Sequence, residues 1–307
     1  MPIKFGLGPR VESLVIAGLI KWRLCEKMKQ AIDLIKTSLS ALYPAGEIDG
    51  IIRLIFDRLC GYSVTDMLLN RDKTLAPELH EKIAEMVARL KQREPIQYVL
   101  GSAYFGDLTM QVGKGVLIPR PETAEMVQRI IVECGAVDGA VADICTGSGC
   151  IAIALAHAWP QAQVEGWDIS TDALAYARRN AVDNKVNVLW KECDVLSYEP
   201  VHAPRYAVMV SNPPYILDSE RESMDDNVLL YEPHNALFVP DSDPLLFYRI
   251  IARIARRELL PGGKLYFEIN SLMGDACVAL LQECGFDEVT LCEDYRGAAR
   301  VVKGVNR

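Results

Sequence analysis

Asp143-Ile144-Cys145-Thr146-Gly147-Ser148-Gly149-Cys150 ends one short apolar run, Val141–Cys145, and leads directly into a helical one. A chain that passes from strand to helix in so few residues must turn tightly with little side-chain obstruction, and glycine supplies that freedom. The segment holds G-x-G with Ala152 where a third small residue is expected, a pattern that serves either a nucleotide-type ligand at the helix start or merely a tight turn. The next apolar run, Gln163–Asp168, ends in a carboxylate 21 residues after Gly147. At that place an aspartate either accepts two hydrogen bonds from a ribose diol or caps the helix entered at Ser170-Thr171-Asp172.

Outward from this loop, short apolar runs alternate with helical patterns: Val186–Trp190, Tyr206–Ser211 followed by a long helix, then Lys264–Ile269. Such alternation predicts an α/β architecture with a doubly wound parallel sheet. Glu288–Cys292 and Arg300–Lys303 have little helix-length sequence between them and are expected to pair as an antiparallel hairpin at one edge. After the third run, Asp194 is expected at the adenine edge and Val195 against the ring, which admits either a dinucleotide or S-adenosylmethionine.

Upstream the texture differs. From Met28 to about Gln92 apolar residues recur at helical spacing, as in Ile48, Ile51, Ile52, Ile55 and Phe56, then Ile83, Met86, Val87 and Leu90. A small helical bundle is expected, followed by a hairpin in which Leu108, Met110 and Val112 alternate with Thr109 and Gln111 before Gly113-Lys114-Gly115. The expected division is 1–95 helical, 96–118 hairpin linker and 119–307 α/β, with residues 1–27 an extra helix or an extension preceding Met28.

The 307 residues include 33 Lys plus Arg against 41 Asp plus Glu, a net charge of −8, so no whole-molecule positive field draws the chain to nucleic acid or anionic lipid. Nine cysteines without a C-x-x-C pair and four scattered histidines predict free thiols, no metal site and a reducing, cytoplasmic setting. Leu14–Ile20 is too short to span a bilayer, and no membrane partner is expected.

Ser211-Asn212-Pro213-Pro214-Tyr215 follows the fourth run, where an α/β crevice holds its reacting centre. Pro213 biases Asn212 toward extended geometry, and the two rings fix successive φ angles, so the Asn212 side-chain oxygen and the Pro213 carbonyl become rigid acceptors. Both can grip one planar NH₂ group. Such a nitrogen is a poor nucleophile because its lone pair is delocalised, and acceptors aimed at its hydrogens stabilise the positive charge that grows during attack on a sulfonium methyl. Tyr215 is expected to pack against the planar target. The pattern therefore favours S-adenosylmethionine and N-methylation.

Further motifs narrow the target: Glu94-Pro95-Ile96-Gln97-Tyr98 with Gly101 and Phe105, Leu117-Ile118-Pro119-Arg120-Pro121-Glu122-Thr123, Tyr231-Glu232-Pro233 and Ala236-Leu237. With the Asn-Pro-Pro-Tyr segment, the chain from about Met28 to its end resembles the HemK/PrmC-type methyltransferases, which modify the glutamine of the Gly-Gly-Gln motif in peptide chain release factors. The resemblance implies a Rossmann-like class I S-adenosylmethionine-dependent domain behind a helical domain that helps recognise class 1, bacterial-type release factors. It implies cofactor contacts from Cys145, Thr146, Gly147, Ser148, Gly149, Asp168, Val195 and Asn212, and a substrate glutamine held by Asn212, Pro213, Pro214 and Tyr215. Phe105 and Arg120 fall on motifs bordering the site, although Arg120 equally suits a structural ion pair.

The chain departs from the family pattern at Cys145, where many members carry glycine, at Asn270 in Glu268-Ile269-Asn270, where the glutamine that often follows is also absent, and in Asp294–Arg300, which keeps the terminal arginine but not the acidic residue before it. The rival reading is an N-methyltransferase acting on an exocyclic amino group of DNA or RNA, disfavoured by the acidic balance and the lack of a basic stripe. A non-catalytic cofactor-binding protein is disfavoured by the intact Asp168 and Asn212–Tyr215.

Overall fold

The computed structural model describes residues 27–200 and 204–307. The expectations for residues 1–26 lie outside the described residues. The chain divides into two compact units between Leu100 and Gly101. This assigns the hairpin to the second unit, whereas the sequence pattern set 96–118 apart.

The described part of the first unit is helical: α1 (Met28–Leu39), α2 (Ala45–Cys60), α3 (Val64–Leu69), α4 (Pro77–Leu90) and α5 (Ile96–Leu100). The periodic isoleucines of α2 and the stripe Ile83, Val87 and Leu90 of α4 are buried together in one core. Pro77 starts α4, where its missing N–H costs nothing, and Gly61 ends α2 with a left-handed φ of 66°. Tyr43 closes the unit by donating its hydroxyl to the Leu90 carbonyl at 2.7 Å.

The second unit opens with the hairpin β1 (Ser102–Phe105) and β2 (Leu108–Gln111), then α6 (Pro121–Cys134), β3 (Ala140–Ile144), α7 (Cys150–Ala158), β4 (Gln163–Asp168), α8 (Thr171–Asp183) and β5 (Leu189–Glu192). After β6 (Tyr206–Ser211) come β7 (Ile216–Leu217), α9 (Asp226–Tyr231), β8 (Phe238–Val239), α10 (Leu246–Glu258), β9 (Leu259–Glu268), α11 (Gly274–Glu283), β10 (Asp287–Glu293) and β11 (Ala299–Val305). The main sheet has the order β10-β11-β9-β6-β3-β4-β5. Strands β5, β4, β3, β6 and β9 run parallel, and β11 and β10 complete the edge in antiparallel pairing, the arrangement expected for that hairpin.

The chain winds outward from β3 through β4 to β5, then returns to the other side of β3 with β6. The carboxyl ends of β3 and β6 therefore flank the point where the winding reverses, the place at which such sheets open a ligand crevice. The expected long helix after β6 is confined to α10, because prolines at 213, 214, 233, 240 and 244 break the preceding stretch into short pieces.

Helix α8 ties the hairpin to the glycine loop. Asn180, wholly buried, accepts from the Gln111 N–H at 2.6 Å and donates to the Gln111 carbonyl at 3.1 Å and the Ser148 carbonyl at 2.9 Å. Asn184 adds a bond to the Thr109 carbonyl at 3.0 Å. Among the described residues no helix is long and apolar enough to cross a membrane.

Candidate active site

A cavity of about 290 Å³ opens at the carboxyl ends of β3, β4 and β6. Of the residues expected at the site, Arg120, Cys145, Thr146, Gly147, Ser148, Asp168, Asp194, Val195, Asn212 and Pro214 line it. Phe105, Gly149, Pro213 and Tyr215 do not belong to that lining. Phe105 is buried in the hairpin, and Gly149 serves packing: at φ 81°, a Cβ there would stand 2.7 Å from the Trp190 ring.

The strand ends are laced together. Ser211 donates its hydroxyl to the Ile144 carbonyl at 2.6 Å, which fixes Asn212 beside Cys145. Thr146 N–H donates to the Trp167 carbonyl and Cys193 N–H to the Asp168 carbonyl, each at 2.9 Å. Asp168 receives Gly147 N–H on one oxygen and Ser170 N–H on the other, both at 2.8 Å. It therefore anchors the glycine loop and steadies the entry to α8, while its oxygens keep lone pairs for a ligand. Burial holds its carboxyl above the ordinary range, and the backbone N–H groups of Ser170, Gly147 and Ile169 offset part of that rise.

Asp143, at the end of β3, is fully buried. One oxygen accepts from the Thr146 hydroxyl and from Ala152 N–H, and the other has no hydrogen-bond partner. Burial pushes this carboxyl up to about 7. Folding thus favours its protonated form relative to an ordinary carboxylate near 3.8. The resulting stabilisation is complete below about pH 4 and is lost as pH rises through about 7. Urea unfolding of Asp143→Asn across this range is expected to show a flatter pH dependence than the unaltered chain; coincident profiles would refute the assignment.

Around Asn212 lies a buried relay. Its Nδ2 donates to Thr123 Oγ1 at 3.2 Å, and Thr123 donates to Glu268 Oε2 at 2.6 Å. The other Glu268 oxygen accepts the Tyr215 hydroxyl at 3.2 Å. Tyr215, expected against the target, is thus also held to the end of β9. Across the cavity mouth, Glu232 accepts Ile118 N–H at 3.1 Å and pairs with Arg120 at 2.5 Å. Arg120 therefore lines the cavity and clasps two rim segments at once.

Two family models match the chain: the methyltransferase small domain over residues 123–237 and the PrmC N-terminal domain over residues 30–101. The release factor glutamine methyltransferase of Bacteroides thetaiotaomicron is 40% identical over 275 residues, covering 90% of this chain and 99% of that protein. The chain belongs to the release factor glutamine methyltransferase family. A second relative of that name, from Flavobacterium psychrophilum, is 40% identical over 270 residues, covering 87% of this chain and 94% of its own. The one from Chlorobaculum tepidum is 34% identical over 285 residues, covering 88% and 95%.

Within this release factor glutamine methyltransferase fold, the departure at Cys145 has a definite backbone meaning. Its φ is 62°, a left-handed conformation that glycine adopts freely and other residues at a cost of roughly 1 kcal/mol. Burial in the cavity wall pushes its thiol far up, so it is inert as a nucleophile. Asn270, the second departure, caps the turn at 271–273 and donates to Glu220 at 3.0 Å. Near the chain end, Asp294 accepts from the Arg296 and Ala298 backbone N–H groups and pairs with Arg300, which rebuilds that turn locally.

Sequence patterns singled out neither Asp143, Thr123, Glu232, Glu268 nor Asn180 for these roles. Their partners are mostly distant in sequence, 145 residues apart for Thr123 and Glu268. Only the placement of Thr123, Glu232 and Glu268 within the family motifs pointed toward them.

Proposed function

We propose that the chain transfers a methyl group from S-adenosylmethionine to the side-chain amide nitrogen of the glutamine in the Gly-Gly-Gln motif of class 1, bacterial-type peptide chain release factors. The orientation of Asn212 carries this reading. Its amide nitrogen is committed to Thr123, and its Oδ1 accepts no hydrogen bond among the described residues while the side chain lines the cavity.

The cavity suits the cofactor on the chain's own features. Asp168 offers carboxylate acceptors to a ribose diol, Gly147 at φ 55° leaves open space where a side chain would stand, and Ile169 and Leu196 present exposed apolar surface to an aromatic base. When bound, S-adenosylmethionine supplies a methyl group already activated by its sulfonium.

Asn212 Oδ1 and the Pro213 carbonyl accept the two N–H groups of the glutamine amide and hold its plane edge-on. These fixed dipoles favour the positive charge that gathers on nitrogen as the new C–N bond forms. The charged product sheds its proton after transfer, so no side chain has to remove one beforehand. Arg120 and Glu232 keep the rim closed around Pro233 and Ala236. The helical unit recognises the body of the release factor, and the reaction is placed in the cytoplasm without direct nucleic-acid binding.

The test is incubation with labelled S-adenosylmethionine and an intact bacterial release factor, beside the same factor with its Gly-Gly-Gln glutamine replaced. Mass spectrometry is expected to place the methyl on that glutamine and to find none in the replaced factor. Label on added DNA or RNA instead would favour the exocyclic-amino reading.

A further inference from the structure

We infer that Glu268, acting through Thr123, dictates which end of the Asn212 amide meets the substrate, so that both are positioning residues for transfer. The inference rests on the reading of Asn212 as the acceptor of amide N–H groups. An asparagine side chain is nearly symmetric in shape, and its oxygen and nitrogen differ only in the hydrogen bonds they make. Presented backwards, Asn212 would set donors against the donors of the incoming amide.

The polarity follows from proton counting. An ionised carboxylate only accepts, and Glu268 has one oxygen on the Thr123 hydroxyl at 2.6 Å and the other on the Tyr215 hydroxyl at 3.2 Å. Thr123 owns a single hydroxyl proton and gives it to Glu268. Toward Asn212 it therefore has only lone pairs, and the group that approaches at 3.2 Å must be the NH₂ end. The oxygen is left on the opposite side.

Thr123 and Glu268 are each almost wholly buried, so water does not compete for these bonds. Burial holds the Glu268 carboxyl above its ordinary range, and the Thr123 and Tyr215 hydroxyls and the nearby Arg300 offset part of that rise. The same carboxylate thus orders two residues of the Asn-Pro-Pro-Tyr segment from a different strand.

A glutamine at 268 keeps the shape but no longer imposes the instruction, since either end of its amide can face Thr123. Its NH₂ can donate to Thr123 Oγ1, whose proton is then free to turn toward Asn212 and draw the amide oxygen away from the cavity. Glu268→Gln is therefore expected to lower kcat by about 10²-fold. Thr123→Val, which removes the relay, is expected to do the same, and Thr123→Ser to recover most of the turnover because it restores the hydroxyl. The S-adenosylmethionine dissociation constant, measured by titration calorimetry on the full chain, is expected to stay within about threefold in all three variants.

The assay uses the full chain and an intact release factor. Absence of transfer by the unaltered chain overturns the functional reading and the relay with it. Transfer by the unaltered chain with Glu268→Gln equally active overturns the relay alone. So does Thr123→Ser performing no better than Thr123→Val, or a loss of turnover matched by a loss of cofactor affinity and melting temperature, since a purely structural role gives those results. Should Glu268→Gln fail to fold, the serine and valine variants decide between these outcomes by themselves.

Discussion

Asn212→Ala is expected to lower kcat by about 10²–10³-fold, the loss typical of removing one preorganised group that stabilises developing charge. The substitution deletes the side-chain acceptor while leaving the Pro213 carbonyl in place, so the planar nitrogen keeps one of two partners. The fold should tolerate the change. Asn212 stands at the strand end, only partly buried, and its sole side-chain bond to the described residues is the 3.2 Å contact with Thr123. Ser211 continues to tie β6 to β3 through the Ile144 carbonyl. Single-turnover methylation of a release factor with saturating S-adenosylmethionine isolates the effect from binding. Undiminished transfer would remove Asn212 from the chemistry.

The complementary result is expected from Asp168→Ala, which should act on cofactor affinity. Hydrogen bonds to a charged acceptor contribute about 1.5–3 kcal/mol each, so losing the ribose contacts weakens S-adenosylmethionine on the order of 10²-fold. The alanine also strands the Gly147 and Ser170 N–H groups, which the carboxylate now holds at 2.8 Å. Looser ordering of the glycine loop adds to the loss. Asp168→Asn, which retains one acceptor oxygen, should fall between alanine and the unaltered chain. Equilibrium titration of the cofactor gives the comparison, and an unchanged dissociation constant for the alanine variant would contradict the placement of the ribose. Together the two substitutions separate catalysis from binding.

Much of the sheet was legible because strand and helix periods differ and each repeats locally. Gln163–Asp168 and Tyr206–Ser211 form strands with the bounds their apolar runs suggest. The third strand starts later than the pattern implied, at Leu189. Lys185 takes a φ of 58° and Val186 N–H bonds back to the Ala181 carbonyl, so the end of α8 claims residues that look extended in sequence. Strand β9 starts earlier, at Leu259, because Pro261-Gly262-Gly263 lies within the strand, at a shift of register against β6, although it reads as a turn.

The site divides in the same way. The glycine loop, Asp168 and Asn212 follow strands directly, so adjacency in sequence announced them. Arg120 was open between rim and ion pair, and its partner Glu232 could not be chosen from 112 residues away by any local pattern. Gly149 was legible as a special residue but not for its reason, since the ring of Trp190 that excludes a side chain belongs to another strand. Local chemistry is written in the sequence, whereas orientation is decided by neighbours that the fold supplies.

The bonds from Asn180 and Asn184 to the hairpin bear on how such a chain can be shuffled by recombination. A crossover inside residues 101–111 would pair a foreign ribbon with asparagines shaped for another backbone, and Asn180 would pass the mismatch to the Ser148 carbonyl in the glycine loop. A crossover between Leu100 and Gly101 leaves that buckle whole. The hairpin therefore travels with the α/β unit in any such exchange.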